Sequence, residues 1–185
     1  MECALCNNKE CSSSGKDCTE DFQKEIDDLC EKEIERLKVS ASVESDCYSD
    51  KTRMEEAVVF AERMNYEKIG IAFCIGLSEE AEEIHKIFAN RFEVFSVCCK
   101  LCGVEKAKYN LKGLPGAEDP DVMCNPIGQA RFLGKKETDI NVIVGLCIGH
   151  DILFDKYSES PVTTLVVKDR KLAHNPLGYI YSNYY

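Results

Sequence analysis

Two cysteines lie at turns beside buried segments, where their thiols could do chemistry. Cys124 directly precedes Asn125 and Pro126, a good N-cap residue followed by one suited to the first helical position. Cys147 follows the apolar run 140–146, which is typical of a buried strand. A helix N-terminus lowers the pKa of a thiol and favours the thiolate, the form that binds metals or attacks electrophiles. These positions predict a pocket that holds a metal centre or performs thiol chemistry.

Two further predicted strands, residues 68–74 and 92–98, also end in cysteine. A helical pattern separates them, and this order implies a parallel, right-handed unit. With strands 140–147 and 162–168 we expect an α/β fold with a four-stranded, mainly parallel sheet in the order 2-1-3-4 and flanking helices. The carboxyl ends of such strands form the ligand-binding edge. The predicted metal ligands at this edge are Cys74, Cys98, Cys99, Cys124 and Cys147.

A group of three cysteines follows the second strand, and the sequence leaves open which of them faces the site. One of Cys98, Cys99 and Cys102 is expected to join Cys124 and Cys147. The Cys99-x2-Cys102 spacing also occurs in redox dithiols near a βαβ pattern, which makes Cys102 a candidate catalytic residue. The alternative is that strand-end cysteines are only small buried hydrophobic residues.

Polar residues near these cysteines are candidates to bind or act on a ligand. His150 follows Cys147 closely and is a candidate catalytic residue, a metal ligand, or only the cap of the next helix. Asn125 and Gln129 are neutral groups suited to orienting a ligand, although capping alone explains Asn125. Lys168 follows the fourth strand and could hold an anionic ligand.

Residues 1–18 form a small cysteine-rich arm, and residues 19–185 the α/β domain. The arm has almost no apolar side chains to bury, so packing alone cannot fold it. Four thiolates around one tetrahedral ion would supply the missing stabilisation, whereas a flexible tail with incidental thiols is the alternative. Zinc and an iron–sulfur cluster both accept four cysteines. The predicted ligands in the arm are Cys3, Cys6, Cys11 and Cys18.

Helical periodicity fills most of the remaining chain. A first helix is predicted at 19–38, followed by a polar linker at 39–50. Thr52 and Glu55 form a capping box that begins the next helix. Further helices are predicted at 78–90, 125–134 and 150–157.

Composition limits the classes of function. The formal net charge is −10, which argues against nucleic acid or an anionic membrane as a main partner. No window approaches the ~20 apolar residues that span a membrane, and no signal peptide is visible. We therefore expect a cytoplasmic protein, in which 12 cysteines more often mean metal or redox chemistry than disulfides.

The C-terminal segment is rich in tyrosine. These side chains could pack on a second subunit and form a homo-oligomer, or fold back on their own sheet. They are Tyr179, Tyr181, Tyr184 and Tyr185.

Several motifs together resemble one family. They are Cys3-x2-Cys6-x4-Cys11, the run Cys124–Ala130, the run Asn141–Asp151, and the run Thr164–Arg170 with His174-Asn175-Pro176. The chain resembles the domain of unknown function 1847 family, which comprises predicted metal-binding proteins of mostly anaerobic prokaryotes. The resemblance implies a cytoplasmic metalloprotein.

Three functions follow from these patterns. A cysteine-ligated zinc or iron–sulfur centre at the sheet edge could act on a small, sulfur-containing molecule. The same centre could instead serve a carrier, a sensor or an electron-transfer module without catalysis. In the third hypothesis the arm binds structural zinc and the inner cysteines belong to the core.

Overall fold

The sheet has four parallel strands in the spatial order β2-β1-β3-β4, as the sequence predicts. The computed structural model of the protein describes residues 1–116 and 120–182. Because β1 and β3 are adjacent at the centre, the switch in strand order falls between them, and ligands of open α/β sheets bind there. The strands are β1 (Lys68–Phe73), β2 (Glu93–Cys98), β3 (Ile140–Val144) and β4 (Val162–Val166).

Residues Met1–Tyr48 form one compact unit and residues Ser49–Tyr185 a second. The helices of the first unit are α1 (Glu10–Ser13), α2 (Gln23–Lys32) and α3 (Ile34–Cys47). The expected helix therefore breaks at Glu33 and then continues through most of the expected linker. Val39, Val43 and Cys47 recur at a spacing of four residues, and the last two are buried. This helical stripe explains why a segment that reads as polar is helical.

The second unit surrounds the sheet with helices. They are α4 (Arg53–Arg63), α5 (Ser78–Ala89), α6 (Pro126–Gly134), α7 (His150–Tyr157) and α8 (Gly178–Tyr181). The predicted capping box at the start of α4 is present, since the side chains of Thr52 and Glu55 each accept from the other's backbone N–H. No helix of the described residues is long and apolar enough to cross a membrane.

Strand alternation divides the core into two layers. Ile69 and Ile71 of β1 pack with residues of α4 and α5. Ala72 and Cys74 belong to the other layer, with residues of α6 and α7. Because successive side chains of a strand point to opposite faces, the thiol of Cys74 lies on the face that α6 and α7 cover.

β3 ends at Val144, three residues before the predicted end. The chain turns at Gly145, whose φ is +64°, and a Cβ there would lie 2.0 Å from Leu77 Cδ1. Glycine is needed here because side-chain bearing residues rarely adopt this φ and no space is left for a Cβ. Cys147 therefore lies in the turn that leads into α7.

The long connection between β2 and α6 is tied together at its base. Glu105 and Val122 form an antiparallel bridge, and Lys106 forms an ion pair of 2.9 Å with Asp121. Both side chains of this pair are partly buried. These contacts hold the two ends of the connection together and so fix where Cys124 enters α6.

Candidate thiol site

Cys74 and Cys99 are neighbours across the ends of two parallel strands. Phe73 is paired with Cys98 in the ladder between β1 and β2, and the N–H of Cys99 donates to the carbonyl oxygen of Phe73 at 2.9 Å. The register thus places the next two residues side by side. Both side chains are buried, and each thiol shifts the pKa of the other. Strand register identifies Cys99 as the member of the three-cysteine group that joins the site.

Cys124 reaches the same place from the start of α6. The side chain of Asn125 accepts from the N–H of Gly128 at 2.8 Å, and its own N–H donates to the carbonyl oxygen of Cys99 at 2.7 Å. Cys124 is half-buried, and interactions with Cys99 and His150 lower the pKa of its thiol. The predicted cap therefore also anchors the helix to the end of β2.

The three thiols and one imidazole form a line of interacting groups that runs from Cys74 through Cys99 and Cys124 to His150, in which each group shifts the pKa of the next. Cys99 has two sulfur neighbours and can donate its proton to either of them. Its contacts with Cys124 and Cys74, together with burial, raise the pKa of the Cys99 thiol far above its usual range. The central thiol keeps its proton, and the outer two sulfurs carry the negative charge.

Both outer cysteines are thiolates at neutral pH. The hydrogen bond from Cys99, a backbone N–H and Lys168 lower the pKa of Cys74 to about 5. The hydrogen bond from Cys99, contact with His150 and the charge of Lys100 lower the pKa of Cys124 to about 4. Contact with the Cys124 thiolate in turn raises the pKa of His150, so these two groups stabilise each other's charged forms.

Lys168 reaches the site along a path lined by two glycines. Its side chain begins just after β4 and passes over Gly145, where its Cδ would lie 3.6 Å from a Cβ. A Cβ built at Gly76 would lie 3.6 Å from its Nζ and 4.0 Å from the sulfur of Cys74, and Lys168 lowers the pKa of that thiol. The role of Lys168 in binding an anionic ligand stays a prediction, and the group on which its charge acts in this structure is the thiol of Cys74.

Cys147 lies at the rim of the site and has a different partner. Its sulfur accepts a hydrogen bond of 3.0 Å from a guanidinium nitrogen of Arg170. The pKa of Arg170 is raised by this contact first, and by the charges of Cys74 and Cys124 at longer range. Cys147 is therefore part of the same electrostatic environment without belonging to the line of contacts.

Gln129 is fully buried and bridges the ends of β1 and β2. Its Nε2 donates to the carbonyl oxygens of Phe73 at 3.2 Å and Val97 at 2.8 Å. Its Oε1 has no hydrogen-bond partner in the part of the chain that the structure describes. The sequence suggested a ligand-orienting role for Gln129, whereas its amide in fact binds the backbone that leads into Cys74 and Cys98.

The other predicted site residues lie elsewhere. The sulfur of Cys98 is 3.5 Å from the N–H of Lys100, and Cys102 is exposed with a φ of 71°. The arm cysteines are all exposed. Tyr184 and Tyr185 are outside the described residues. Within residues 1–116 and 120–182, no group of three or more His, Cys, Asp or Glu side chains is arranged to hold a metal ion.

Sequence reasoning did not single out Lys100, which contributes charge beside Cys124. Its Nζ donates to the carbonyl oxygen of Val122 at 2.5 Å, so the ammonium bridges the end of β2 to the segment that precedes Cys124. The only sequence signal was its position directly after Cys99. This position brings Lys100 close to Cys124 only because the connection between β2 and α6 returns to the carboxyl edge of the sheet.

A cavity lies on the opposite face of the sheet, beside α5. Its volume is about 330 Å³, and its lining includes Phe73, His85 and Ser96. The Nδ1 of His85 is 3.2 Å from the hydroxyl oxygen of Ser96. The sheet separates this pair from the thiols, because Phe73 and Cys74 point to opposite faces.

The fold and the site together define a class of protein: a parallel α/β protein whose central sheet edge carries several cysteines and a histidine. The family model described as "Protein of unknown function (DUF1847)" matches residues 11–165, and the chain belongs to this family.

The comparison with curated proteins gives one relative that matches over almost its full length. The uncharacterized protein MJ0455 of Methanocaldococcus jannaschii is 53% identical over 188 residues, covering 100% of this chain and 96% of its own length. No solved structure is significantly similar to the chain.

Proposed function

We propose that the protein binds a metal centre, zinc or an iron–sulfur cluster, at the carboxyl edge of its sheet. The ligands in this proposal are Cys74, Cys99, Cys124 and His150. The observation that carries it is that these four groups meet at one sheet edge and shift one another's pKa values. Three thiolates and one imidazole are a common ligand set of tetrahedral zinc, and iron–sulfur clusters are likewise held by cysteine thiolates.

The charge state of the cluster favours a soft cation. The pKa values of Cys74 and Cys124 are lowered, whereas the raised pKa of Cys99 keeps this thiol protonated. A metal ion that replaces this proton satisfies all three sulfurs at once, because metal binding releases ligand protons. Lys100, Lys168 and Arg170 offset part of the negative charge that three thiolates would bring to a half-buried site.

The contacts form a line and not a ring, so loading requires side-chain movement. Cys74 and His150 stand at its two ends, with Cys99 between the other sulfurs. Rotation of side chains about their χ angles would draw the ends together around an ion. The buried Cys99 is the fixed point of this rearrangement, because it is held by the register of β1 and β2.

Metal analysis of the full-length protein tests the proposal. After purification without oxygen, we expect about one zinc ion or one cluster per chain at this centre, measured as zinc, iron and acid-labile sulfide. Cys99→Ser and Cys124→Ser should each lose it, while Cys102→Ser should keep it as the matched control. Equal metal content in all three variants would contradict the proposal, and so would a selective loss in Cys102→Ser.

The arm needs its own control, because Cys3, Cys6, Cys11 and Cys18 are also proposed metal ligands. A variant with Cys3→Ser and Cys6→Ser should lose only the metal of the arm. The zinc or iron content of this variant, compared with that of Cys124→Ser, separates the two centres. Loss of the same metal in both variants would mean that the arm and the inner cysteines do not bind independently.

Two uses of the inner centre remain as alternatives within the proposal. In the first, three ligands hold the metal and the open position binds a small, sulfur-containing molecule, as catalytic metal sites require. In the second, four ligands close the centre, which then serves storage, sensing or electron transfer. His150→Gln distinguishes the two alternatives. If this variant retains the metal, three cysteines are sufficient to hold it, and the fourth coordination position is open. The free thiols suit the reducing cytoplasm, which we propose as the location.

A further inference from the structure

The cavity beside α5 contains a hydroxyl and an imidazole in hydrogen-bond contact. The Oγ of Ser96 lies 3.2 Å from the Nδ1 of His85, and both side chains line the cavity. The fold brings them together, because Ser96 lies two residues after Val94, on the face of β2 that packs toward α5. A serine within hydrogen-bond reach of a histidine is the arrangement of a nucleophile with its general base.

We propose that Ser96 and His85 form an acyl-transfer site for small, uncharged esters. In the tautomer that carries its proton on Nε2, the Nδ1 of His85 accepts the hydroxyl proton as the Oγ of Ser96 attacks the ester carbonyl carbon. The bond from that carbon to the alcohol oxygen breaks, and the imidazolium gives its proton to the departing alcohol. Ser96 then carries the acyl group. A water molecule deprotonated by the same imidazole releases it as a carboxylic acid and restores the serine.

The size and lining of the cavity define the substrate class. Its volume of about 330 Å³ is at the lower end of ligand pockets, which measure about 300–1,000 Å³. Phe73 and Ala81 supply apolar surface for a short acyl chain. The charged residues of the lining, Glu82 and Lys86, form an ion pair of 2.7 Å with each other. Their charges offset one another, so the cavity favours an uncharged substrate.

The position of β2 at the edge of the sheet leaves a backbone donor beside the nucleophile. The N–H of Cys99 donates to the carbonyl oxygen of Phe73. Because the N–H groups of successive strand residues alternate between the two sides of the strand, the N–H of Ser96 points away from β1, toward the free edge. The N–H of the nucleophile is one of the donors that stabilise the oxyanion of acyl transfer. Ser96 is exposed and His85 is partly exposed, so a substrate reaches both from solvent.

A fluorophosphonate probe tests the proposal on the full-length protein, because such probes react with activated serines. Attack by Ser96 forms an Oγ–P bond and releases fluoride, while the hydroxyl proton passes to His85. Peptide mapping by mass spectrometry should find the phosphonyl group on Ser96 in the wild-type protein, and not on Ser40, an exposed serine of α3.

Variants then assign the two roles. His85→Gln should slow the labelling of Ser96 by about 100-fold or more, which is a typical contribution of a general base. Ser96→Ala should lose multiple-turnover hydrolysis of 4-nitrophenyl acetate. Ser40→Ala is the matched control, and it should keep the wild-type rates of labelling and hydrolysis. Circular dichroism confirms that each variant is folded.

An unlabelled Ser96 in the wild-type protein would overturn the proposal, and this result does not depend on any variant that folds poorly. Equal labelling of the wild type and His85→Gln, or equal ester hydrolysis by the wild type and Ser96→Ala, would also overturn it. Neither residue is a ligand of the proposed metal centre. Metal content and serine labelling are therefore separate measurements, and either proposal can fail while the other is upheld.

Discussion

The backbone N–H of Asn125 donates a 2.7 Å hydrogen bond to the carbonyl oxygen of Cys99. The same residue caps α6 through its side chain, which accepts from Gly128 at 2.8 Å. One residue therefore sets both where the helix begins and where that helix meets β2. As a consequence, Cys124 and Cys99 face each other across a junction that the backbone itself holds.

Loss of the cap should destabilise the protein. Asn125→Ala removes the side-chain oxygen that satisfies a free N–H of α6, so we expect the free energy of unfolding to fall by about 1 kcal/mol. Asn125→Asp keeps a capping oxygen and should stay closer to the wild type. Urea denaturation measures both variants. An equal loss in the two would show that the Nδ2 contact with Leu101, and not the cap, stabilises this junction.

The reactivity of Cys124 should persist in acid. Its pKa is lowered to about 4, so the thiolate is present above that pH and disappears as the pH falls through it, whereas an ordinary thiol is mostly protonated below about 8.5. Iodoacetamide reacts with the thiolate, and peptide mass spectrometry follows the labelling of Cys124 across pH. His150→Gln removes one contact that favours the thiolate and should move the midpoint upward.

His85→Gln is the matched control for that experiment, because His85 lies on the opposite face of the sheet. It should leave the midpoint for Cys124 unchanged. A wild-type midpoint at the value of an ordinary thiol would refute the charge distribution described for the site, whatever the variants do.

Lys168 should act on Cys74. Its charge and hydrogen bond both lower the pKa of that thiol, so Lys168→Met should raise it and shift formation of the Cys74 thiolate to higher pH. The ultraviolet absorbance of thiolates during a pH titration reports this change. Lys135→Met alters an exposed lysine after α6 and serves as the control. Identical titrations of the two variants would argue against the contact between Lys168 and Cys74.

Gly70 should tolerate no side chain. A Cβ at this position would lie 2.0 Å from Oδ1 of Asn141, which is buried and accepts a hydrogen bond of 2.8 Å from Thr138. Gly70→Ala displaces that amide, and overpacking plus a broken buried hydrogen bond should cost about 2–5 kcal/mol. Gly178→Ala meets only Leu172 at 3.6 Å or more, so thermal unfolding should show a change within about 0.5 kcal/mol.

Local patterns were sufficient for some parts of the fold. The periods of apolar residues located the four strands and most helices, and the strand–helix alternation led to the observed strand order. Chemical caps at Thr52 and Asn125 marked two helix starts correctly. Strand ends were less accurate, because β3 stops at Gly145, where a positive φ and the side chain of Leu77 interrupt an apolar run. The break at Glu33 had no clear local signal.

The candidate site was only partly predictable. Cys74, Cys124 and His150 were identified from their positions at strand ends and helix starts, and they are in one cluster. The choice among Cys98, Cys99 and Cys102 required the register of β1 and β2, which is a property of two strands and not of either one. Lys100 and Gln129 acquire their partners only through the crossing of α6 over the strand ends.

The amino-acid sequence by itself determined the parallel sheet and the chemical types at its carboxyl edge, because strand and helix periods and caps are local properties of the chain. Tertiary structure decided which thiols interact. Contacts between Cys99, Cys74 and Cys124 depend on a strand register and on a long connection that returns to the same edge. These contacts also determine which thiol keeps its proton, since the pKa of each group depends on the charges and donors that folding places beside it.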